Sequence, residues 1–123
     1  MRVFKTKVFA RFADKSGIGD VSLRDAVRNA QRGLIGADLG GGVIKQRIAR
    51  PGRGKSAGFR TLIVFRAGAT AIFVHGFAKN EMDNIAKHEL IAIKKLAAEL
   101  LAYDDETMER VVASGTLLEV ICG

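Results

Sequence analysis

A chain of 123 residues with 48% hydrophobic side chains has the length of one ordinary domain and enough apolar material for a core. Charged residues make up 27% of it with no low-complexity tract, which excludes intrinsic disorder, while a formal charge of +7 and a pI near 10.0 point to an anionic partner. The absence of a run of about 18 apolar residues, and the interruption of the first segment by Lys5, Lys7 and Arg11, exclude a membrane span and a signal peptide, so a single cytoplasmic domain over residues 1–123 is expected.

In chain order, Phe4, Val8 and Phe12 face Lys5, Lys7 and Arg11 across residues 3–12, a pattern that predicts a half-buried strand. Ser22-x-x-Asp25 reads as a capping box for a helix over 22–32, with Leu23, Ala26, Val27 and Ala30 at helical spacing and Gly33 as its stop. The glycine-rich "LIGADLGGGV" reads as a turn or crossing. Three β-branched or aromatic runs follow, 42–49, 58–66 and 71–77, punctuated by Gly or Pro, which predicts an antiparallel meander. Asn80 can cap a helix over about 81–103, whose stripe of Ile85, Leu90, Ile93, Leu96, Ala97, Leu100 and Leu101 is expected to cover one sheet face. Asp104 or Asp105 can cap a further helix to Ser114, and "TLLEVI" supplies a last strand. The fold class expected is α+β, a small antiparallel β-sheet of about four strands with helices packed on one face.

Charge is segregated along the chain. Between Leu39 and Asn80 stand Lys45, Arg47, Arg50, Arg53, Lys55, Arg60, Arg66 and Lys79 without a single Asp or Glu, whereas Asp104 to Gly123 carries five acids against Arg110. One part of the surface is therefore expected to meet a polyanion. Within the basic part, "ARPGRGKSAGFR" fits the loose spelling of a nucleotide-binding P-loop through Ala49, Gly54, Lys55 and Ser56. A P-loop must open a helix whose N-terminus holds the phosphate, and the residues after Ser56 alternate as a strand; no acid between Asp38 and Glu81 can hold magnesium. What remains is a cationic loop suited to the phosphates of a chain.

Lys45 and Arg47 are two apart on a strand and share a face. Arg60 opens the next strand and Lys79 leaves the third, so these cations and Lys55 are expected to converge. Arg50 and Arg53 are further candidate phosphate contacts in the loop. Phe59 and Phe77 interleave with the cations and can either pack in the core or stack on a base. His75, in phase with Phe73 and Phe77, reads as a packed or surface histidine because no carboxylate lies near it in sequence; His88 receives no role. With two histidines and the lone Cys122, no metal site or other cofactor is expected, and Cys122 reads as an incidental thiol.

The runs "IKQRIARPGRGKSAGFRTLIVFR" and "AIFVHGFAKNEMDNIAKHEL", with "FKTKVFARFA" and "LIAIKKLAAELLAY", resemble the RelE/HigB group of bacterial toxin–antitoxin toxins. The resemblance implies a ribosome-dependent, metal-independent mRNA endoribonuclease that inhibits translation. It also implies a cognate antitoxin, commonly a helix-turn-helix repressor, through which alone operon DNA is met. In that family the ribose 2′-hydroxyl attacks the adjacent phosphorus and expels a 5′-hydroxyl, which needs a base, positive charge for the phosphorane and an acid. The pattern places catalytic residues at Lys45, Arg47, Arg60 and Lys79. Lys45 is the candidate base, because clustered cations disfavour one another's charging, and Arg60 the phosphorane clamp. Asn80 and Ala86 stand where the pattern has Arg and Tyr, which leaves the general acid open, with Lys55 as the compensating candidate. Under the resemblance Arg50, Arg53 and Asn80 become candidate RNA contacts. The alternative is a non-catalytic toxin or binding protein of the same fold, of the DNA gyrase-inhibiting ParE type or an RNA or ribosome binder.

Overall fold

The structure, a computed structural model, describes residues 1–48, 58–78 and 85–121. The expected first strand divides in two. Arg2–Thr6 forms β1, and Lys7–Ser16 forms a helix, α1, whose N-cap Thr6 accepts a hydrogen bond from the Phe9 N–H at 3.1 Å. Phe4, Val8 and Phe12 recur every fourth residue, a spacing that suits an alternating strand and one face of a helix equally. The helix resolves the ambiguity by burying Phe9, Ala10 and Ala13 and leaving Val8 in solvent.

Helix α2 runs over Asp20–Gln31 with Gly19 as N-cap, so Ser22 and Asp25 lie inside it rather than forming the expected capping box; Asp25 instead pairs with Arg28 at 2.7 Å. Its buried stripe of Leu23, Ala26, Val27 and Ala30 is the one read from the sequence. The glycine-rich crossing contains a short strand, β2 (Ala37–Gly40), which turns into β3 (Val43–Ile48). At Gly42, with φ +82°, an added Cβ would sit 2.6 Å from Leu101 Cδ1, so the turn needs a residue without a side chain.

The meander is present as β3, β4 (Phe59–Arg66) and β5 (Thr70–Ala78), paired antiparallel. Helix α3 spans Lys87–Leu101 and starts from Ala86; the expected cap at Asn80 and the residues after it to 84 lie outside the described residues. Helix α4 spans Asp105–Ala113; of the two expected caps it is Asp104 that accepts the Thr107 N–H, at 2.8 Å, and β6 is Leu117–Glu119. Among the described residues the sheet has six strands rather than about four, in the order β2-β3-β4-β5-β1-β6. Every pairing is antiparallel except β1 with β5.

Helices lie on both faces rather than one. Phe9, Ala13, Leu23, Ala26 and Val27 of α1 and α2 pack with Val3, Ile44, Ile63 and Phe73. Ala97 and Leu100 of α3 pack with Phe4, Val43, Leu62, Val64 and Ile72 on the other side, where Met108 and Val111 of α4 join them. Both faces of the central strands are therefore apolar, which explains why β4 reads "FRTLIVFR" with four consecutive buried residues from Thr61 to Val64. At one edge Arg2 of β1 forks onto Glu119 of β6 at 2.9 and 3.0 Å and also reaches Glu109 of α4, and these carboxylates hold its guanidinium above its ordinary value.

Gly76 marks the tightest approach between sheet and helix: a Cβ there would fall 2.3 Å from Cε2 of Phe12. Replacing Gly76 with Ala is expected to lower unfolding free energy by about 1–3 kcal/mol through overpacking. The double substitution with Phe12→Leu should recover part of the loss in denaturant melts.

Candidate nucleic-acid interface and active site

On β3, Gln46 is buried and donates from Nε2 to the Ala26 and Leu34 carbonyls, each at 2.9 Å, which fixes that side of the strand toward α2. By alternation Lys45 and Arg47 face the α3 side. On β4 the same rule puts Arg60 on the α3 side with Leu62 and Val64, and Arg66 confirms the phase by donating to the Leu101 carbonyl at 3.0 Å.

On β5 simple alternation fails. Leu62 is opposite His75, yet Ile63 is opposite Phe73, so Val74 is an extra residue bulged out of the ladder. Before the bulge Ile72 and Val74 face α3 and Phe73 faces α1; after it His75 and Phe77 take the α3 side. The result is two transverse rows on one face. Arg47, Arg60 and Phe77 are in register across β3, β4 and β5, and Lys45, Leu62 and His75 form the next row.

Arg47 and Arg60 are thus direct cross-strand neighbours, a pairing of like charges that costs stability unless an anion lies between them. Arg60 is half-buried, and its Nη1 is sealed from solvent without a hydrogen-bond acceptor. Burial, and then the Arg47 charge, lower its pKa from the usual arginine value. A buried guanidinium donor with no acceptor is costly, and a phosphate oxygen satisfies it. Arg47 is exposed and also borders a hollow of about 390 Å³ with Arg32 and the Asp25–Arg28 ion pair of α2.

Of the residues singled out from sequence, Lys45, Arg47, Arg60 and Phe77 are brought to this face. Phe77 is only 6% exposed and meets the His75 ring at a centroid distance of 5.9 Å, so it packs rather than offering an open stacking surface. Phe59 belongs to the α1 side, edge-on to Phe12 at 5.6 Å. Arg50, Arg53, Lys55, Lys79 and Asn80 lie outside the described residues; Ile48, Phe59 and Ala78, the last residue of β3, the first of β4 and the last of β5, are mutually in register.

Sequence reading took His75 as a packed or surface histidine, and it is half-buried against Phe77; Glu89 was not singled out. Glu89, in the first turn of α3, places Oε2 3.9 Å from His75 Nε2. His75 is half-buried, and desolvation carries its pKa below the usual 6.5, opposed by the Glu89 carboxylate. The carboxylate judged missing is fourteen positions along the chain, brought back by α3. No signal short of the bulge could have shown that His75 shares a face with Arg60. Among the described residues no group of three or more His, Cys, Asp or Glu comes together as a metal site, and no helix is long and apolar enough to cross a membrane.

Residues 1–120 match a family model described as RelE toxin of the RelE/RelB toxin–antitoxin system. No curated protein and no solved structure gives a significant match.

Proposed function

We propose that this chain, which belongs to the RelE toxin family, is a cytoplasmic endoribonuclease that cuts mRNA on the ribosome and so inhibits translation, held in check by a cognate antitoxin of the helix-turn-helix kind. The observation that carries this reading is the Arg47–Arg60 pair, side by side on one sheet face with Arg60 Nη1 buried and unsatisfied. In the reaction the ribose 2′-oxygen attacks the neighbouring phosphorus, and two negative oxygens develop on a five-coordinate phosphorane. Arg60 gives them two-point hydrogen bonding in a site partly closed to water, and Arg47 adds charge from the next strand. No metal is needed where guanidinium groups neutralise the phosphorane. Lys45 stands in the adjacent row for proton handling; Lys55 and Lys79 are further catalytic candidates, and Arg50, Arg53 and Asn80 are candidate contacts to the RNA.

Purified protein added to ribosomes programmed with mRNA is expected to cut the message, and to leave gyrase supercoiling unaffected. Intact mRNA together with blocked supercoiling would replace the reading with gyrase inhibition. Intact mRNA with salt-sensitive RNA binding would leave only a binder.

A further inference from the structure

We propose that His75, oriented by Glu89, is the general base of this site, taking the proton from the attacking 2′-hydroxyl. The inference rests on the reading of the chain as an RNA-cleaving enzyme; within it the base moves from Lys45, the candidate drawn from the family resemblance, to His75, and Lys45 takes the acid's role that the resemblance left open.

Three observations converge on His75. The bulge at Val74 turns it onto the face that carries Arg47 and Arg60, in the row next to theirs. Diagonal neighbours on adjacent strands lie about 7–8 Å apart at the backbone, so a phosphate seated on Arg60 is within reach of the imidazole. Glu89 faces Nε2 at 3.9 Å, an ion-pair distance longer than a hydrogen bond, of the kind that tightens when substrate closes a site. With Nε2–H turned to the carboxylate, Nδ1 is the nitrogen whose lone pair accepts a proton. The Phe77 ring, 6% exposed, packs against the imidazole and limits its motion.

Among the described residues, the charged groups on the face and helix next to His75 are Glu89 from α3, Arg60 on β4, and Lys45 and Arg47 on β3; Lys87 and His88 of α3 are exposed. The protonation state suits a base. Burial dominates and lowers the His75 pKa below 6.5, so the ring is neutral at neutral pH, and Glu89 stabilises the imidazolium once the proton has arrived.

The proton inventory closes within the site. Nδ1 takes the 2′-hydroxyl proton as the O2′–P bond forms, and the phosphorane charge rests on Arg47 and Arg60. The P–O5′ bond then breaks, and the leaving oxygen takes a proton from the Lys45 ammonium, leaving a 2′,3′-cyclic phosphate and a 5′-hydroxyl. His75 and Lys45 stand on opposite sides of Leu62, two strand spacings or about 10 Å apart. A phosphate between them meets a base on one side and an acid on the other.

The test is the single-turnover rate of mRNA cleavage on programmed ribosomes against pH, for the wild type, His75→Gln and Glu89→Gln, with ribosome binding and thermal melting measured alongside. The wild type is expected to gain activity as pH rises through the His75 pKa, an acid limb lying below pH 6.5. His75→Gln should bind ribosomes normally, cut about 10²–10³-fold more slowly and lose that limb. Glu89→Gln removes the influence that raises the His75 pKa, so its acid limb should move to lower pH. Cleavage by His75→Gln at the wild-type rate with the limb intact overturns the proposal. If His75→Gln does not fold, Glu89→Gln decides: a shifted limb supports the assignment and an unmoved one overturns it. A wild type that cuts no mRNA instead brings down the enzymatic reading on which the assignment rests.

Discussion

Replacing Arg60 with Ala is expected to slow mRNA cleavage by about 10²–10³-fold without weakening the fold. The first half follows from chemistry. A positioned donor aimed at charge that develops only in the transition state is worth that much, and Arg60 Nη1 is such a donor, buried and unmatched in the ground state. The second half follows from the same facts read energetically. Arg60 faces Arg47 across β3 and β4 and has its pKa lowered by burial, so the folded protein bears its desolvation with no acceptor in return. Removing it should leave the denaturant midpoint unchanged or raise it, the exchange of stability for function found where active sites are strained. Arg60→Lys keeps the charge but loses the two-point fork and should fall between the two. Single-turnover cleavage and urea melts on the same preparations check both halves; equal activity with lower stability would make Arg60 a structural residue.

Phe73→Ala should produce the largest loss of stability, about 3–5 kcal/mol. Phe73 is fully buried, its ring 5.1 Å from that of Phe9, in the cluster that joins α1 and α2 to the sheet. It also precedes the bulge that presents His75. Beyond a lower denaturant midpoint, cleavage by the folded fraction should drop, because a cavity beside Val74 relaxes the backbone that aims His75.

The meander was legible because β3, β4 and β5 are β-branched runs broken by Gly and Pro, and these local signals survive folding. The stripe of α2 and the Asp104 cap were legible for the same reason. Where the sequence reading failed, as in the strand expected over residues 3–12 that is helix from Lys7, longer-range contacts decide. Phe4, Val8 and Phe12 fit two periods, and docking of Phe9 against Phe73 favours the helix. The parallel pairing of β1 with β5 and the helices on both faces depend on how distant segments pack, which no local pattern encodes. The site divides along the same line. Lys45 and Arg47 share a face by spacing alone, and Arg60 joins them through antiparallel register. His75 reaches that face only through the bulge, and its partner Glu89 only through the return of α3 over the sheet.

The most direct measurement is the chemistry of the RNA ends made on programmed ribosomes by the wild type and by Arg60→Ala. A site built of fixed cations that stabilise a phosphorane formed by the ribose oxygen predicts 2′,3′-cyclic phosphate and 5′-hydroxyl ends from the wild type, and a loss of about 10²-fold or more in the variant. Ends bearing 5′-phosphate and 3′-hydroxyl, or cleavage indifferent to Arg60, would contradict it.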